Sequence, residues 1–251
     1  MRFILNHPLV IFLLAFFGLW LAAWLGALAG QRSKLAEDER TDYGVVIAAT
    51  LTLLGLIVGF SFSMATGRYD QRKNLEEEEA NAIGTEYVRA DFLPAAEAAR
   101  VKALLKQYTD LRVEFYTTQN MEDYEQIVQA TEKMQDALWT TVSGPVNAEP
   151  TPVHALVASG MNDVLNSQGY TQAAWWNRIP LGAWLLMFGI ALFCNMLLGY
   201  GARRIYPRLL MVLPLVVAVS FFLIADIDSP RGGVIRVQPR NLTSLQAGFG
   251  K

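Results

Sequence analysis

The sequence predicts an all-α, four-span integral membrane protein with a helical domain inserted between spans two and three. Three observations lead there. Four apolar blocks, none with an internal Asp, Glu, Lys or Arg, each approach the roughly 20 residues needed to cross a bilayer. The long segment between the second and third blocks repeats apolar residues at 3–4 spacing. No segment alternates apolar and polar residues as a half-buried strand would.

The first hairpin covers residues 1–67. Its first span is 8–29, "PLVIFLLAFFGLWLAAWLGALA". Arg2 and the "ALA" at Ala27–Ala29 resemble a signal peptide, but this 22-residue run exceeds the 7–15 of a signal core, so a retained span is expected. The second span is 44–65. Its helix runs on through "GRYDQRKNLEEEEANAIG" without a proline, to about Phe92, and stops at Pro94.

A helical domain follows over 68–178. Its next helix spans Ala95 to about Thr118, with Val101, Leu104, Leu105, Tyr108, Leu111 and Phe115 on one face. Another starts at Asn120, an N-cap, and is expected to break at "SGPVNAEPTP". A fourth, "VHALVASGMNDVLNSQ", leads through Gly169 toward the third span. The second hairpin, 179–228, holds spans 180–200 and 209–225, the latter short and carrying Pro214. Trp20, Trp24, Trp175, Trp176, Tyr200 and Tyr206 lie near block ends, as interfacial aromatics do. The tail, 229–251, is rich in Gly, Pro and Arg and is expected to be extended.

Composition excludes several functions. The net charge of −2 gives no bias toward nucleic acid. Cys194 is the sole cysteine and reads as a packing residue. His7 and His154 stand alone, with no Glu-x-x-His pair, so no metal or cofactor site is expected. No Gly-rich phosphate loop and no Ser–His–acid set can be named, so the chain does not read as an enzyme. The run Glu76–Glu79 is the one dense acidic cluster. It reads as a solvated helix face beside Arg72 and Lys73 or, in an oligomer, as a ring of acids around a shared axis. Asp226 and Asp228 read as a capped turn at the membrane edge or as part of a cation site.

The second span carries two stripes. Gly55, Gly59, Ser63 and Gly67 recur every four residues, a small-residue face that permits close helix packing. Beside it run Thr52, Leu56, Phe60, Met64 and Arg68. Around an oligomer axis this bulky face could form a hydrophobic constriction. Alternatively, both faces pack against the other spans of the same subunit.

"GFSFSMATGRYDQR", "EEANAIGTEYVRADFLP" and "FLIADIDSPRGGVIRV" resemble the bacterial bestrophin-like domain family, over roughly residues 44–240. The chain is more distantly similar to bestrophin channels. That resemblance implies a pentamer whose second span lines the pore, and a cytosolic helical domain. Gly59-Phe60 and Arg68-Tyr69 match the pore-helix pattern, placing Thr52, Leu56 and Phe60 at the neck. Thr52 departs from the bulky apolar residue expected there. Arg68, Arg72, Lys73, Glu76 and Glu79 would then stand at the cytosolic mouth. The acidic calcium-binding run after the last span is missing, so the resemblance does not carry calcium gating.

Charge does not choose the orientation. The side of the termini and helical domain carries Arg2, Arg68, Arg72, Lys73, Arg178, Arg231, Arg236 and Arg240 near the spans, against Arg32, Lys34, Arg40, Arg203, Arg204 and Arg208. Setting aside the long middle segment reverses the balance. The resemblance implies cytoplasmic termini and domain, in a multi-pass protein of the bacterial inner membrane. The expected function is an oligomeric ion channel, with the lipid bilayer, inorganic ions and further copies of the chain as partners. The alternative is a non-conducting scaffold or sensor whose helical domain docks a protein.

Overall fold

The computed structural model describes residues 7–33, 37–202 and 206–249. Arg2, Lys34, Arg203 and Arg204 of the charge comparison lie outside the described residues, as does the side chain of Arg40. The helices are α1 Pro8–Ser33, α2 Glu37–Arg89, α3 Ala95–Thr117, α4 Met121–Ala148, α5 Pro152–Trp176, α6 Leu181–Tyr200, α7 Pro207–Leu210, α8 Val212–Asp228 and α9 Arg240–Gly248. No strand occurs among the described residues. Four helical stretches are long and apolar enough to cross a membrane, by length and composition.

Helix α2 has 53 residues, more than twice a bilayer crossing. Glycines in its apolar half would weaken a helix in water. In a bilayer the backbone must bond to itself, and that requirement overrides propensity. The helix ends in a 3₁₀ turn, Ala90–Phe92, and Pro94 opens α3. The Asn120 side chain accepts the Glu122 N–H at 3.1 Å and caps α4. Thr151 caps α5, with Pro152 in the first turn, where no N–H is missed.

Two expectations are corrected. Helix α4 does not break at "SGP" but continues to Ala148 with Pro145 inside it. Val142 is fully buried and Val146, one turn on, packs on the same core, so tertiary burial outweighs the lost hydrogen bond. The tail is not extended throughout, because Arg240–Gly248 is helical, with Leu242 buried.

The chain divides into two compact units. In the first, Met1–Arg68 with Arg178–Arg236, α1 packs on α6 and α8. Ile11, Ala15, Leu19, Ala23 and Ala27 form its buried stripe. A Cβ at Gly26 or Gly30 would run into the carbonyl of Met196 or Tyr200, and one at Gly199 into that of Ala23. Tyr43 of α2 donates to the Leu197 carbonyl at 3.0 Å. In the second unit, Tyr69–Asn177 with Val237–Lys251, α3 packs on α4, α4 on α5, and α9 on α3. Trp175 lies in this core, its ring 4.8 Å from Phe115 and 5.4 Å from Tyr116, and is not an interfacial aromatic.

Candidate functional site

The membrane-spanning part of α2 turns one narrow face to its own unit. Leu54, Ser61 and Ala65 are buried there. The opposite faces are open. Leu56 is 52% exposed and Phe60 65% exposed, and Thr52 and Met64 are exposed too. The Thr52 hydroxyl donates to the Ala48 carbonyl at 2.9 Å, satisfying itself within the helix. A Cβ added at Gly55, Gly59 or Gly67 would meet nothing within 4 Å, and Ser63 is exposed. From Thr52 to Gly67 both stripes of this helix are thus exposed within the unit, and Arg68, the last residue of the bulky stripe, is half-buried.

At the end of that face Arg68 pairs with Asp228 at 3.5 Å. Both Asp228 oxygens accept the Ile179 N–H at 3.2 Å. Asp226 accepts the N–H groups of Val234 and Ile235, each at 2.8 Å. The Ser229 hydroxyl accepts from Arg178 at 3.1 Å and from the Gly232 N–H at 3.1 Å. Gly233 has no room for a Cβ, which would strike the Asp226 carbonyl. The two acids thus cap a turn and tie span ends together. No group of acids, histidines and cysteines among the described residues is arranged to hold a metal ion.

The acidic run does not behave as one solvated face. Glu77 and Glu78 are exposed, while Glu76 and Glu79 are buried within the helical unit. Glu76 accepts the N–H groups of Asn241 and Leu242, each at 2.9 Å, and the Asn241 amide at 2.7 Å. It supplies the negative charge favoured at the N-terminus of α9. Glu79 pairs with Arg112 and accepts from Tyr116 at 3.3 Å and Thr171 at 3.2 Å. Arg112 also lies over the Phe115 ring, 4.3 Å from its centroid. Burial opposes the Arg112 charge, but Glu79 together with the Tyr108 and Tyr116 hydroxyls outweighs it, and the guanidinium's pKa is raised. Burial raises the Tyr116 and Tyr108 hydroxyls. Arg72 is buried at 1% exposure, and Lys73 is exposed. The oxygens of Glu76 and Glu79 are thus engaged inside the helical unit, where the two side chains anchor α9, α3 and α5 to α2.

The sequence model of the bestrophin-like domain matches residues 10–242. The chain belongs to the bestrophin-like family. Its fold matches a crystal structure of a point variant of a bacterial bestrophin homologue from Klebsiella pneumoniae. The TM-score is 0.65 at 14% identity, covering 95% of this chain and 97% of that one. A second structure of a bestrophin homologue from the same organism, phased with zinc, gives 0.65 at 14% identity over 94% and 96%. No curated protein matches. As a bestrophin-like protein with four apolar helices, the chain is a membrane protein.

Sequence reasoning missed two features of this bestrophin-like chain. Gly26, Gly30 and Gly199 bring α1 and α6 into close backbone contact, whereas a Cβ at Gly55, Gly59 or Gly67 of α2 meets nothing within 4 Å. Gly26-x-x-x-Gly30 carried the signal. The buried carboxyls share one register, since 72, 76, 79, 83, 86 and 90 recur at 3–4 spacing, and Ile83 and Ala90 mark that face as inward.

Proposed function

We propose that the chain is one subunit of an oligomeric ion channel in the bacterial inner membrane. Five copies would surround an axis lined by α2, with Thr52, Leu56 and Phe60 forming a hydrophobic neck. Such a neck gates by wetting and dewetting. The termini and helical unit would be cytoplasmic. Arg68 and Lys73 would contribute positive charge toward the mouth, Arg68 held in place by Asp228. The observation that supports the reading most is the open face of α2, where large apolar side chains stand without partners in their own unit. The adjoining Gly55, Gly59, Ser63 and Gly67 would let a neighbouring subunit approach closely. Ion flux from proteoliposomes tests the proposal. Flux above that of protein-free vesicles supports it. An intact oligomer without flux favours a non-conducting scaffold whose helical unit docks a partner.

A further inference from the structure

Glu86 has no role in the capping and pairing described above. It is fully buried in the helical unit, and neither carboxyl oxygen has a hydrogen-bond partner among the described residues. Its side chain fills the notch left by Gly160 of α5, where a Cβ would collide with Oε2. The same Cβ would lie 2.5 Å from Nη1 of Arg89, so that guanidinium reaches the notch as well. A buried carboxylate that accepts no hydrogen bond is costly, and such a group takes up a proton instead.

We propose that Glu86 is a proton-controlled latch between α2 and α5. Neutral, the carboxyl seats against Gly160 and the helices pack closely. When the proton leaves to solvent, the carboxylate pairs with the Arg89 guanidinium beside it, the pair turns out of the notch toward water, and the two helices part locally. Loss of solvation pushes the Glu86 pKa up to about 8; Arg89 on its own helix opposes this and Asp163 on α5 adds to it. These are the ionisable groups that act on it among the described residues. The latch belongs to the helical unit and does not depend on conduction.

Hydrogen exchange on the full chain in detergent, corrected for the intrinsic pH dependence, tests the latch. Amides of residues 83–90 and 157–164 should exchange about tenfold faster at pH 9.5 than at pH 6.5, a local opening. Residues 101–115 should not change. Glu86→Gln, neutral at both pH values, should abolish the difference. An unchanged native protein, or the same change in native and Gln forms, overturns the proposal. Should the variant not fold, infrared difference spectra of the native protein decide. A protonated-carboxyl band present at pH 7 and lost through about pH 8 supports the latch, because an ordinary Glu, pKa about 4.3, is ionised at pH 7. Absence of that band at pH 7 overturns it.

Discussion

Arg68 and Asp228 meet at 3.5 Å where α2 leaves its apolar stretch, and the same carboxylate holds the Ile179 N–H ahead of α6. One side chain thus joins the ends of three span-forming helices. Asp228→Ala orphans a buried N–H, a loss of about 1–3 kcal/mol. Asp228→Asn keeps an acceptor for that N–H and loses the ion pair with Arg68, a smaller loss. Thermal melting of the purified protein should rank native above Asn above Ala. Equal losses in the two variants would show that charge, not the acceptor, matters.

The Glu79–Arg112 pair is buried on both sides. Removing one partner leaves an uncompensated charge, so Arg112→Met should cost about 3–5 kcal/mol. Replacing both, with Glu79→Leu added, should recover part of that loss in denaturant unfolding. Additive losses would contradict coupling between the two.

Two glycine substitutions should separate packing within the subunit from packing between subunits. Gly199→Ala places a Cβ on the Ala23 carbonyl and should lower the melting temperature of the subunit itself. Gly59→Leu meets nothing within 4 Å in its own chain. It should leave the helical content intact and disrupt the oligomer, as read by light scattering. An unchanged oligomer would remove the α2 stripe from the interface.

Much of this was legible in the sequence, and the exceptions share a cause. The uninterrupted exit of α2 from the bilayer followed from the absence of proline between Thr41 and Leu93. Periodicity places Gly55 with Gly59, but not which face finds a partner inside the chain. Composition made Glu76–Glu79 look solvated, whereas helical register turns two of the four inward. Pro145 marked a break that the burial of Val142 overrides. The apolar spacing of Leu242, Leu245 and Phe249 was hidden by the surrounding Gly, Pro and Arg, although Leu245 and Phe249 pack on the helical core.

The raised Glu86 pKa fixes the sign of a pH effect. The native chain keeps a proton that an unfolded Glu releases near pH 4.3. Glu86 therefore contributes stability that is full below that value, declines as pH rises, and is gone above about 8. The difference in melting temperature between native protein and Glu86→Gln should change across that window and be flat above it. A constant difference from pH 4 to 9 would contradict the shift.

The channel reading rests on Leu56 and Phe60, and their joint replacement by Ala in planar bilayers tests it most directly. Both side chains are more than half exposed within the chain, so truncation leaves no cavity in the subunit. In the proposed oligomer, removing their bulk from every copy would widen the neck and make it easier to wet. Single-channel recording should show larger or constitutively open currents from an oligomer of unchanged size. Oligomeric protein that carries no current in either the native or the substituted form would contradict the account.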